Sequence, residues 1–126
     1  MPPPVKIWFD GGCRPNPGAM EIAVVTGGRE HVRRDCGHGS SMEAEWLALI
    51  EALALARSLA LEQFVLLGDA AAVIAQASGR AKCPAALRPS LERFRELVGA
   101  GARPRLRHVK RGRNLAGIAL ARLHPR

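Results

Sequence analysis

The sequence predicts an α/β fold, with an antiparallel hairpin portion of a sheet joined to a parallel portion by crossover helices. Three observations carry this prediction. Val5, Ile7 and Phe9 alternate with Lys6, Trp8 and Asp10, the period of a strand with two distinct faces. Trp46, Leu49, Ile50 and Leu53 follow the i, i+3, i+4, i+7 spacing of a helix. The unbroken apolar run Phe64, Val65, Leu66, Leu67 suits a strand buried on both faces.

Taken in order, the first strand exits through Asp10 into Gly11 and Gly12, where the backbone can turn sharply or approach something bulky. Residues 21–25 form a second strand, and Gly27-Gly28 then reads as a hairpin turn. A third strand over 29–36 carries His31 and Arg33 on one face and Val32 on the other, a solvated edge that discourages edge-to-edge pairing. Residues 37–41 break the pattern, and Ser40 or Ser41 can cap the helix that follows over 43–59. Ala48, Ala52, Ala54 and Ala56 make that helix apolar nearly all round, as expected of a central helix packed on a sheet. Glu45 is its oddity, since at 100° per residue it lines up with Leu49, Ala52 and Ala56. A first-turn acid favoured by the helix dipole is the simpler explanation for a lone glutamate. Glu43 and Glu51 fall elsewhere and read as surface acids.

The buried run ends in Gly68-Asp69, and a helix follows over 70–78, so a second acid leaves a strand directly before a helix. That edge of an open sheet is where sites collect. A basic, proline-containing connection over 79–89 leads to an amphipathic helix marked by Leu87, Leu91, Phe94, Leu97 and Val98, which Gly99 and Gly101 end. A short strand over 105–109, a basic loop over 110–113 and a helix over 114–123 complete one domain spanning residues 1–126.

Lys and Arg number 19 against 11 acids, a net charge of +8, which favours a polyanionic partner, nucleic acid before an anionic membrane surface. Cys13, Cys36 and Cys83 lack metal-site spacing and are odd in number, so they suggest a reducing compartment and ordinary buried or half-buried thiols. The first residues do not read as a signal peptide, and no apolar run reaches the length of a membrane span. The expectation is a cytoplasmic protein.

Asp10, Glu45 and Asp69 stand on three separate elements. Converging carboxylates repel one another, and hard oxygen donors in such a group suit Mg2+ or Mn2+. Two such ions about 4 Å apart can align a phosphodiester, activate water and stabilise the leaving oxygen. A basic domain with that site would be a metal-dependent phosphodiesterase.

Several segments carry a resemblance. Asp10-Gly11 with Asn16-Pro17-Gly18, Ala44-Glu45-Trp46 with Ala48-Leu49-Ile50, Gly68-Asp69 with Val73 and Gln76, and Val109-Lys110-Arg111 with Asn114 and Leu120-Ala121 together look like the short form of type I ribonuclease H. The likeness covers nearly the whole chain. It implies a mixed five-stranded sheet, three antiparallel strands plus two parallel, with helices on both faces. It also implies hydrolysis of the RNA strand of RNA/DNA hybrids by a two-metal route, leaving a 5′-phosphate, with Asp10 bridging both ions and Glu45 and Asp69 holding the second. Gly11, Gly12, Cys13, Asn16, Ser41, Met42, Lys110, Arg111 and Asn114 become the candidate substrate contacts. Such duplexes are recognised through a wide minor groove, 2′-hydroxyls and phosphates, and each phosphate neutralised steepens salt dependence. Arg105, Arg107 and Arg113 add to the basic stretch, as contacts or as solvated surface.

Two departures accompany the likeness. The family's fourth acid falls on Ile118, and no acid follows Glu96. The asparagines that usually precede the central helix are replaced around Ser40-Ser41-Met42. Slow or Mn2+-preferring turnover is therefore expected. His124 is the one added ligand in reach of sequence, though as a residue near the end of the chain it reads more simply as tail. The alternative is an impaired module that binds hybrid or double-stranded RNA. More distant is a phosphodiesterase of the same fold acting on double-stranded RNA or a DNA junction. No protein partner is implied.

Overall fold

In the computed structural model, which describes residues 3–100 and 103–124, strand β1 (Val5–Cys13) sits at the middle of the sheet. On one side β2 (Gly18–Thr26) and β3 (Arg29–Arg33) continue it antiparallel. The two-residue strand β4 (His38–Gly39) also pairs with β2, at Gly18 and Ala19. On the other side β5 (Phe64–Gly68) and then β6 (Arg105–His108) run parallel to β1. The expected mixed sheet is thus present, in the order β3-β2-β1-β5-β6 with β4 as an addition.

Gly27 and Gly28 both take positive φ, 58° and 76°, the pair of conformations that a tight hairpin turn needs. The third strand is shorter than expected. It stops at Arg33 because Asp35 adopts φ 55° and bends the chain back, after which Cys36 N–H donates to the Met20 carbonyl at 2.8 Å. Residues 37–41, expected to be irregular, therefore include β4, which pins the entry to the central helix onto β2.

Helix α1 (Ser41–Ser58) begins at Ser40, whose hydroxyl accepts from Glu43 N–H while the Glu43 carboxylate accepts from Ser40 N–H. Its residues Trp46, Ala48, Leu49, Ala52, Leu53 and Ala56 are fully buried. The Trp46 indole donates to Gln76 Oε1 at 3.0 Å, and its ring meets Phe94 edge-on with centroids 6.0 Å apart. With α2 (Ala71–Ala77) and α3 (Arg88–Val98), α1 closes one face of the sheet over Ile7, Phe9, Ile22, Val24 and Leu66. Helix α4 (Leu115–Ala121) closes the other, with Ala116, Ala119 and Leu120 on Ala23 and Val25.

The connection expected over 79–89 ends sooner. A 3-10 turn at Ala85–Leu87 leads straight into α3, and Pro89 lies in its first turn, where a missing N–H costs nothing. Gly99 ends α3 with φ 64°, whereas Gly101 lies outside the described residues. The basic stretch after β6 is likewise ordered, with a 3-10 turn at Arg111–Arg113. Among the described residues, no helix is long and apolar enough to cross a membrane.

Candidate active site

Strand register brings the first two acids together. Trp8 faces Leu67 across the parallel β1–β5 ladder. Asp10 and Asp69 each come two residues later, so they sit side by side on neighbouring backbones about 4.8 Å apart, Asp69 just past the end of β5 and Asp10 still inside β1, which runs on to Cys13 instead of ending at the acid. Glu45 arrives from α1, which can lie close to β1 only because residue 11 is glycine. A Cβ at Gly11 would sit 2.1 Å from the Ala44 carbonyl oxygen. The contact also orients the acid, as Gly11 N–H donates to Glu45 Oε1 at 2.7 Å. One oxygen from each of Asp10, Glu45 and Asp69 then falls within 4.8 Å of the others.

Asn114 holds the third acid. It is completely buried, and its amide nitrogen donates to Asp69 Oδ1 at 2.8 Å and to the Phe9 carbonyl at 3.0 Å. Its own oxygen accepts from Ala116 N–H at 3.1 Å, which caps α4. Asn114 was expected among the substrate contacts. With no exposed surface and every polar group engaged, it is instead the tie between strand end, acid and helix.

The grouping is electrostatically uneasy. Burial, and next the negative charge of Asp69, push the Asp10 carboxyl up to about 6, with Arg111 only partly offsetting this. Burial and the charge of Asp10 raise Glu45 further still, against the pull of the Gly11 N–H. Three hard oxygen donors at this spacing, held short of positive charge, fit a divalent cation of the Mg2+ or Mn2+ kind.

The acids lie in a cleft of about 490 Å³ that Gly11, Gly12, Cys13, Arg14, Ser41 and Arg111 also line. Asn16 is exposed beside it, its side-chain oxygen accepting from Ser41 N–H at 3.0 Å. Cys13 is buried, with its sulfur 3.5 Å from the Gly39 carbonyl. Met42 packs against the core, and Lys110 stands exposed outside the cleft lining.

A family model described as reverse transcriptase-like matches residues 9–124. The ribonuclease H1 of the halophilic archaeon Halobacterium salinarum superimposes with a TM-score of 0.82, at 31% identity over 92% of each chain. The chain belongs to the ribonuclease H family. By that membership it is a ribonuclease H-type endonuclease. The N-terminal ribonuclease H domain of a Mycobacterium tuberculosis protein is 28% identical, with a TM-score of 0.77 over 96% of this chain and 98% of that one. A ribonuclease H1 in complex with RNA/DNA hybrid shares the fold at 24% identity, with a TM-score of 0.78 over 88% of each chain. No curated protein matches the sequence significantly.

In this ribonuclease H, Ile118 is 41% exposed and lines the cleft, so the α4 wall there is hydrocarbon. His124, expected to be a tail residue, lines the cleft too and its Nε2 contacts Glu21 Oε1. Glu21 was not singled out in the sequence, where it reads as the first polar residue of a strand. Counting the β1–β2 ladder out from the turn over residues 14–17 finds it, because that register sets Cys13 opposite Met20 and Glu21 opposite Gly12, beside the first acid.

Proposed function

We propose that this ribonuclease H hydrolyses the RNA strand of RNA/DNA hybrids with two divalent ions, leaving a 5′-phosphate. The observation that carries the reading is the convergence of Asp10, Glu45 and Asp69 at the floor of a cleft in a chain of net charge +8. Mg2+ or Mn2+ held there would supply the charge that aligns a phosphodiester and activates water. The residues of the chain do the positioning. Gly11 N–H sets Glu45, Asn114 sets Asp69, and Arg14 and Arg111 stand where phosphates would pass. The backbone of residues 11–13, Ser41 and the free amide of Asn16 offer donors and acceptors to ribose hydroxyls, the feature that separates RNA from DNA. The described residues support a single domain, and the three free cysteines suit a reducing, cytoplasmic setting.

The test is a labelled hybrid incubated with Mg2+ or Mn2+, beside Asp10→Asn. Cutting that needs metal and drops about 100-fold or more in the variant is the expected result. A second reading, a hybrid- or duplex-RNA-binding module with impaired turnover, is favoured by Ile118 on the cleft wall. Tight, salt-sensitive binding with no cutting under either ion would establish it. If the missing carboxylate limits turnover, Ile118→Asp should raise the rate, and an unchanged rate would sink that explanation.

A further inference from the structure

Glu21 has the geometry of a fourth participant. In the β1–β2 ladder it lies opposite Gly12, while Ala23 lies opposite Asp10. Residues two apart on a strand share a face, so Glu21 and Asp10 project from the same side of the sheet as diagonal neighbours, roughly 7–8 Å apart by ordinary sheet geometry. The ground between them is open, since a Cβ built on Gly12 would meet nothing within 4 Å. Both acids line the same cleft.

The glutamate is also built in. Its side chain is only 9% exposed, a costly place for a carboxylate unless polar partners meet it. Arg34 Nε lies 3.4 Å from Oε2, and His124 Nε2 contacts Oε1. These partners come from the loop after β3 and from the turn that ends α4, and together they fix the carboxylate at the cleft's edge. The rest of that wall, Ile118, Leu120 and Ala121, offers no ligating atom. Glu21 is therefore the carboxylate beside the C-terminal end of α4, whereas Asp69 is held at the start of that helix through Asn114 and Glu45 comes from α1.

We propose that Glu21, fixed by Arg34 and His124, is a positioning residue that anchors the water ligands of a divalent ion on the α4 side of the cleft. It acts through water because its oxygens are already engaged and it lies outside the set of three converging acids. This rests on the two-ion reading above. Carboxylates that orient the ligands of an ion in this way are worth about 10–100-fold in affinity.

The test is titration with Mn2+ alone, followed by electron paramagnetic resonance, on the wild type and on Glu21→Gln. The wild type should take up two ions. Glu21→Gln should weaken the looser ion about tenfold and leave the tighter one within about twofold. His124→Ala, which keeps the carboxylate but frees it, should loosen the same ion by about threefold and covers the case in which Glu21→Gln folds poorly. Glu21→Asp, which keeps the carboxylate, should hold the looser ion more tightly than Glu21→Gln does, a difference that a merely structural glutamate would not show. Unchanged affinities in Glu21→Gln, with only a lower melting temperature, would overturn the proposal and leave Glu21 as an anchor for α4. A wild type that binds one ion, or an Asp10→Asn variant that binds two, would overturn the two-ion reading beneath it.

Discussion

The two faces of the sheet are built to different rules. The face under α1 is sealed by three helices over a large apolar core, with Trp46 and Phe94 fully or nearly buried. The face under α4 is covered by one seven-residue helix over a small cluster, Ala23, Val25, Ala116, Ala119 and Leu120, with Trp8 and Leu123 half-buried at its margin. Alongside that short helix the sheet lies open, with Gly117, Ile118, Leu120 and Ala121 of α4 as one wall of the cleft that holds Asp10, Glu21 and the open ground at Gly12. Close packing holds the first face together. Incomplete cover on the second leaves room for charge, solvent and a ligand. Stability and chemistry are thus divided between opposite sides of one strand, with Phe9 facing one core and Asp10 facing the cleft.

This division can be broken by unequal truncations. Trp46→Ala should cost about 3–5 kcal/mol, near the whole stability of a small domain, because it empties the thick core and strands Gln76. Leu120→Ala on the thinner face should cost about 2 kcal/mol, at the low end for a buried leucine. Urea unfolding of both variants compares them, and equal losses would contradict the asymmetry. Asn114→Ala should cost about 1–3 kcal/mol, comparable to the leucine, for the groups it leaves unpaired. Cutting should fall more than stability does, because Asp69 loses its tether; parallel measurement of rate and melting temperature tests this.

The smallest effect sharpens the electrostatic side of the contrast. Without metal, Asp10 and Glu45 hold protons in the folded state at pH values where the unfolded chain, with carboxyls near pH 4, has already lost them. A raised acid favours folding at low pH and ceases to as pH climbs through its folded-state value, about 6 for Asp10. The metal-free melting temperature should therefore fall by a few degrees from about pH 5 to about pH 8, and stabilisation by Mg2+ should grow over the same interval. Asp10→Asn should flatten both trends; a wild-type profile that is already flat would contradict the crowding of the acids.

Periodicity made most of the fold legible. The alternation through Phe9, the apolar ring of α1 and the buried run of β5 each follow from local pattern alone. Asp35 hid the end of β3, since a left-handed aspartate carries no local signal that separates it from a strand residue. Pro89 pointed toward a connection because the same residue serves a linker and a helix's first turn equally well. The three acids are readable because one closes an alternating run, one follows a buried apolar run and one lies on an apolar helical stripe, although β1 in fact continues past Asp10 to Cys13. Nothing local marks Asn114 as a buried tie, because the carbonyl it reaches, that of Phe9, lies over a hundred residues earlier in the chain. Glu21 and His124 were missed as a pair for a similar reason, being 103 positions apart.

The Asn114 amide joins the opening strand to the closing helix across 105 positions of chain. During synthesis the three carboxylates emerge from the ribosome well before that amide does. A nascent chain released only as far as β6 therefore carries all three acids without the clasp that aligns Asp69.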